Sequence, residues 1–121
     1  MSKRILVVED QADNRRILRD LLTSAGYEII QAENGEEALA AAARDRPDLI
    51  LMDIQLPLLD GYEATRRIKA DPELRAIPII VITSYALSGD ESKARAAGCD
   101  AYVAKPYSPR ALLAKIREYV R

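Results

Sequence analysis

Five polar positions follow closely on short apolar runs: Glu9 and Asp10 after ILVV, Asp53 after LILM, Thr83 after IIVI, and Lys105 just beyond YVA. Singly, each is what any strand shows where it leaves a core. Together they are three carboxylates, a hydroxyl and an ammonium group. If the first and third runs lie side by side the acids converge, and two like charges ~4 Å apart repel by about 4 kcal/mol at an effective dielectric near 20. Something cationic must offset that. Lys105 offers one charge and a hard divalent cation offers two. The chain has no histidine and one cysteine, so the ligands are oxygens, which select Mg2+ or Mn2+ over zinc. Mg2+ commonly completes its octahedron with phosphate oxygens, so the set reads as a phosphoryl site. Asp53, on the most apolar run, could act as a nucleophile and form an aspartyl phosphate, with Thr83 donating to one phosphoryl oxygen and Lys105 neutralising another. The absence of histidine also excludes Ser-His-Asp and Cys-His catalysis.

The elements that must position these groups are visible in the hydropathy pattern. Short runs rich in Val and Ile alternate with longer segments in which apolar residues recur at three or four positions, the signature of βαβ units. The runs Ile5 to Val8, Glu28 to Gln31, Leu49 to Met52, Ile79 to Ile82 and Ala101 to Val103 predict five strands. Ile17, Leu18, Leu21, Leu22 and Ala25 predict one helix face, and further helices are expected over 38–43, 62–70, 89–97 and 110–120. Asn34 with Glu37, Asp60 with Glu63 and Ser88 with Glu91 each place a capping side chain three residues before a Glu. Ser108 and Pro109 suit the cap and first position of a last helix, and Gly26 and Gly98 stand where left-handed C-terminal caps belong. The architecture that follows is α/β, a five-stranded parallel sheet with helices on both faces. Strands one and three, the most continuously apolar, should be central. Ligands of such sheets sit beyond the carboxyl ends of the strands, where the strand order reverses.

A length of 121 residues suits one domain over 1–121, and 49% hydrophobic with 31% charged residues allows a sizeable core under a hydrated surface. Eighteen basic and nineteen acidic residues, without runs of one sign, leave no footprint for nucleic-acid binding. The apolar runs are too short to cross a bilayer, and MSKRILVVED meets charge before a signal core can form. No membrane association and a cytoplasmic location are therefore expected. Cys99 has no partner for an internal disulfide and is expected to be a small buried side chain.

VVED, LILMDIQLPLLDG, IIVITSYA and YVAKP, in this order and spacing, resemble the receiver domain of two-component response regulators, over essentially the whole chain. The resemblance implies a doubly wound, flavodoxin-like (βα)5 fold of strand order 2-1-3-4-5. Glu9 and Asp10 would bind Mg2+ with Asp53, and Gln55 would add its backbone carbonyl. Asp53 would accept phosphate from the phosphohistidine of a sensor histidine kinase or histidine phosphotransfer domain, so that the chain catalyses its own aspartyl phosphorylation and dephosphorylation while acting mainly as a switch. Thr83 and Lys105 would contact the phosphate, and the Lys105–Pro106 bond would be cis. Tyr102 would turn inward as Thr83 moves toward the phosphate, reshaping the face of the fourth helix, fifth strand and fifth helix. Glu9 stands where many members have Asp, and Ser84 where Ala is frequent. Gln55 and Tyr85 would line the entry for hydrolytic water, so the bulk of Tyr85 implies slow loss of phosphate.

The final LLAKIREYVR closes the fold, so the expectation is a single-domain regulator whose output is binding of a downstream protein, as a monomer or weak homodimer. The first helix, with Asn14, Arg15, Arg16 and Arg19 among apolar residues, reads equally as a dock for a kinase or phosphotransfer domain and as a solvated face. A receiver excised from a hybrid histidine kinase is an alternative. A phosphorylation-independent pseudo-receiver is disfavoured by the full acid, hydroxyl and lysine set. EDQADN lacks the glycines of a nucleotide-binding loop, and no Asp-x-Asp follows the first strand as a haloacid-dehalogenase phosphatase would need.

Overall fold

The computed structural model describes residues 3–83 and 90–120. Its elements run β1 (Arg4–Val8), α1 (Ala12–Ser24), β2 (Glu28–Ala32), α2 (Gly35–Asp45), β3 (Leu49–Asp53), α3 (Gly61–Ala70), β4 (Ile79–Thr83), α4 (Asp90–Ala96), β5 (Ala101–Ala104) and α5 (Pro109–Arg117). The strands are all parallel in the order β2-β1-β3-β4-β5. β1 and β3 lie inside the sheet, as their unbroken apolar character requires: a strand buried on both faces has no polar side to show.

Alternation along the strands sorts side chains into two cores. Ile5, Val7, Leu49, Leu51, Ile80 and Ile82 join Leu18 and Leu22 of α1 and Leu112 and Ile116 of α5. Leu6, Val8, Ile50, Met52, Ile79 and Val81 join alanines of α2, Ala64 and Ile68 of α3, and Ala94 of α4. The alanine stretch of α2 thus has a clear role. Ala38, Ala41 and Ala42 are buried, and their small size lets α2 lie close to the sheet and α3.

Capping follows the sequence at Asn34, Asp60 and Ser108, while the Glu37 and Glu63 side chains bond elsewhere. Asn34 Oδ1 accepts from Glu37 N–H at 2.8 Å, but the Glu37 carboxylate accepts from Glu33 N–H, 3.2 Å, one residue before the cap. Asp60 caps Glu63 N–H at 2.9 Å, while the Glu63 side chain turns to Arg66 and Arg67. Ser108 caps Ala111 N–H at 2.9 Å with Pro109 opening α5. Gly26 and Gly98 take φ of 97° and 103°, as C-terminal caps do. The Ser88–Glu91 pairing, Ser84 and Tyr85 fall outside what the structure describes.

Two expectations need correction. Ile17 is 62% exposed and does not share the buried face of α1; successive helical residues are about 100° apart, so the burial of Leu18 and Leu22 rotates Ile17 to the rim. The fifth helix ends at Arg117 rather than Val120, although Val120 is still buried and its carbonyl accepts from Tyr27 Oη at 3.2 Å.

The loop after β3 is fastened by Gly61, whose N–H donates to Ile54 O at 3.0 Å. A Cβ there would overlap the Asp53 carbonyl oxygen and lie 2.8 Å from Ile54 Cα, whereas a Cβ at Gly26 would meet nothing within 4 Å. Overpacking against backbone typically costs ~1–3 kcal/mol, and a left-handed φ for a non-glycine residue ~1 kcal/mol. Gly61→Ala is therefore expected to lower the urea midpoint clearly more than Gly26→Ala does, and equal midpoints would refute the packing argument.

Candidate functional site

Strand parity decides where the polar groups emerge. Glu9 continues the Ile5–Val7 side of β1, Asp53 the Leu49–Leu51 side of β3, and Lys105 the Ala101–Val103 side of β5, all on the α1/α5 face. At the carboxyl end of the sheet they meet. Carboxylate oxygens of Glu9, Asp10 and Asp53 lie within 4.8 Å of one another. Lys105 Nζ stands 3.0 Å from Asp53 Oδ2 and 3.4 Å from Glu9 Oε2. Glu9 and Asp53 are 2% and 7% exposed, so their charges are held where water screens poorly, which makes the lysine contact necessary.

Backbone donors complete the arrangement. Gln55 N–H donates to Asp53 Oδ1 at 3.0 Å and Gln11 N–H to Glu9 Oε1 at 3.2 Å. The side chains surround a cavity of about 330 Å3 lined by Asp10, Asn14 and Gln55 together with Glu9, Asp53 and Lys105. The Lys105–Pro106 bond is cis. Burial, with the hydrogen-bonded and like-charged Asp53 beside it, pushes the Glu9 carboxyl up from 4.5 to about 7 against the opposing pull of Lys105 and Gln11 N–H. Burial works to lower the Lys105 ammonium, but its hydrogen bond to Asp53 and the charges of Asp53 and Glu9 outweigh it and raise the pKa. Burial likewise raises the Tyr107 phenol.

Thr83 and Tyr102 belong to the other face. Thr83 is buried at the end of β4, one residue beyond the Asp53–Ile82 pair, and its carbonyl accepts from Lys105 N–H at 2.7 Å. It is in register with Ala104, which makes Tyr102, two residues earlier on β5, its diagonal neighbour on that face. Tyr102 is half-buried against the core that includes Val81 and Ala94.

Among the described residues, Glu9, Asp10, Asp53, Gln55, Thr83 and Lys105 therefore lie at the carboxyl end of the sheet, with Tyr102 set one step back. For Gln55 the contact to Asp53 is made by the N–H. The first helix differs from expectation in one respect. Arg15 is not on the open face with Arg16 and Arg19; its side chain is 14% exposed and turned back to Glu9 and Glu33. Sequence reading did not find Arg15 or Gln11 as partners of Glu9. A backbone N–H carries no sequence signal, and Arg15 is indistinguishable by type from its exposed neighbours. Gly61 was within the quoted LPLLDG, but only its packing shows why it must be glycine.

Residues 5–117 match the response regulator receiver domain family. The chain belongs to that family. It is 48% identical over 120 residues to the polar-differentiation response regulator DivK of Brucella anthropi, covering 99% of this chain and 98% of that protein. DivK of Brucella ovis is 46% identical with the same coverage. Among solved structures, the receiver domain of a sensor histidine kinase from Pseudomonas aeruginosa, which has a magnesium ion coordinated in its active site cleft, is similar with a TM-score of 0.92, 39% identity and 98% of each chain covered. The chemotaxis protein CheY4 of Vibrio cholerae is similar with a TM-score of 0.92 and 28% identity, over 99% of this chain and all of that one. No helix among the described residues of this receiver domain is long and apolar enough to cross a membrane.

The raised Glu9 pKa has a defined sign. Its protonated form is favoured in the folded chain, so its contribution is fully present below about 4.5, its ordinary value, and is lost as pH rises through about 7. In chelator-treated protein, the melting temperature of the parent should fall relative to Glu9→Gln between pH 4.5 and 7.5. Parallel curves for the two proteins would rule out a proton on Glu9.

Proposed function

We propose that this receiver domain is a phosphorylation switch, taking a phosphoryl group onto Asp53 from the phosphohistidine of a sensor histidine kinase or histidine phosphotransfer domain. The observation that carries the reading is the meeting of Glu9, Asp10 and Asp53 within 4.8 Å beneath the Lys105 ammonium group. Three carboxylates with no His or Cys suit a hard cation, and the Pseudomonas relative holds magnesium in its cleft. Glu9, Asp10, Asp53 and the Gln55 carbonyl would hold Mg2+, or Mn2+ by the same oxygen chemistry. Once bound, that cation neutralises charge on the carboxylates and on the incoming phosphoryl oxygens.

The chain's own groups divide the remaining work. An Asp53 carboxylate oxygen forms the new bond to phosphorus as the bond from phosphorus to the imidazole nitrogen breaks, and the imidazole leaves with the electron pair. Gln55 N–H, on Asp53 Oδ1 at 3.0 Å, fixes the carboxylate plane and leaves the other oxygen to react. Lys105, on that second oxygen at 3.0 Å, moves onto a phosphoryl oxygen as Asp53 loses its charge. The Thr83 hydroxyl donates to another. Because Thr83 and Tyr102 are diagonal neighbours on the α4 side of the sheet, displacement of Thr83 opens room for Tyr102, and the face of α4, β5 and α5 changes shape for a downstream protein. Phosphate drives this only by as much as it prefers the inward state.

The similarity to DivK favours a single-domain regulator, and the similarity to a kinase's own receiver favours a module of a hybrid kinase. Both readings use this site alike.

Incubation with acetyl phosphate and Mg2+ is expected to add one phosphoryl group by intact mass, absent in Asp53→Asn and after chelation. Labelling of Asp53→Asn would refute the assignment. Thr83→Ala should still be labelled while the phosphorylation-dependent amide shifts around Tyr102 shrink severalfold; undiminished shifts would disconnect Thr83 from the switch.

A further inference from the structure

Glu9 carries its carboxylate on one more rotatable bond than aspartate, so the position of its backbone decides whether the acid reaches the cluster. Beyond the Lys105 ammonium group, 3.4 Å from Glu9 Oε2, three contacts fix that backbone and its side chain. Glu9 N–H donates to Ala32 O at 3.0 Å, extending the β1–β2 ladder by one rung. Gln11 N–H holds Glu9 Oε1 at 3.2 Å. The third comes from a side chain: Arg15 Nη1 donates to the Glu9 carbonyl at 2.8 Å.

Arg15 is itself anchored. Its Nη2 pairs with Glu33 Oε1 at 3.3 Å, and Glu33 N–H donates to Glu37 Oε1 at 3.2 Å in the cap of α2. The guanidinium therefore spans the ends of β1 and β2 where the ladder stops, with its side chain only 14% exposed. Arg15 N–H donates to Gln11 O at 2.9 Å as the first hydrogen bond of α1, so the side chain that reaches back to Glu9 starts from a formed helical turn.

We propose that Arg15 is a positioning residue for the divalent cation, acting through Glu9 by clamping the Glu9 carbonyl against the end of β2. This rests on the phosphorylation-switch reading of the site. It differs from an electrostatic role in sign. A guanidinium near the cluster repels a dication, so removal of its charge alone tightens Mg2+. Loss of the clamp weakens it, as loss of outer-shell partners typically does by ~10-fold or more.

The test is a double-mutant cycle of Arg15→Met and Glu9→Ala in the full chain, with Mg2+ affinity measured by calorimetry at constant ionic strength. Arg15→Met keeps the apolar stem and should weaken Mg2+ by ~10-fold in the parent, and by less than ~2-fold once Glu9→Ala has removed the carboxylate. Arg15→Lys, which can reach the carbonyl but not fork to Glu33, should recover part of the loss. In metal-free protein, Arg15→Met should speed hydrogen exchange of the Gln11 amide while amides within β3 stay protected. Unchanged or tighter Mg2+ binding by Arg15→Met would overturn the proposal, as would equal losses in both backgrounds. A parent chain that binds no Mg2+ would sink the switch reading as well; binding by the parent with no Arg15 effect sinks this inference alone.

Discussion

Mutual repulsion of acids held at the carboxyl ends of adjacent strands is the constraint on which the rest of the structure turns. Asp53 and Glu9 are nearly inaccessible to water, and each is too close to the other for both to carry free charge comfortably. The fold tolerates this because it surrounds the pair with compensations: the Lys105 ammonium group, two backbone N–H donors, and a Glu9 carboxyl pushed up to about 7. Such a site is poised, since any stronger cation or any loss of charge on Asp53 releases electrostatic strain.

The scaffold has to be rigid for that poise to persist. β1, β3 and β4 are buried along almost their whole length, so the acids project from the stiffest part of the domain. The loops that carry the supporting groups are each tied down locally. Gly61 lets the β3–α3 loop pass against the Asp53 carbonyl, and the Arg15 guanidinium closes the loop that follows β1. Thr83 and Lys105 are joined through their own backbones at the ends of β4 and β5. Asp53 is thereby joined to the outer strand through the side chain and backbone of Lys105.

Much of this was legible in the residues. Strand and helix identities, the central place of β1 and β3, and the caps at Asn34, Asp60 and Ser108 followed from period and chemistry alone. The misses share a cause. Ile17 looked like a core residue because periodicity specifies a stripe, while the width of the stripe actually covered depends on what packs against the helix. Arg15 looked like a surface cation because its partners are a carbonyl and a glutamate on other elements. The Glu37 carboxylate bonded one residue earlier than a reciprocal cap would, to the N–H of Glu33 on the segment that leaves β2.

The sequence by itself determined which chemistry is available: oxygen ligands, one nearby ammonium group and no imidazole, each delivered at the end of a strand with the parity that sends Glu9, Asp53 and Lys105 to one face. Those are local properties, set by residue type and by the two-residue repeat of an extended chain. Only the tertiary structure decided that β1, β3 and β5 bring those ends within hydrogen-bonding distance, that burial raises the Glu9 carboxyl, and that Arg15 is part of the site. The Glu9, Asp53 and Lys105 contacts join segments far apart in the chain, and even Arg15, six residues from Glu9, is told from Arg16 and Arg19 only by how α1 docks on the sheet.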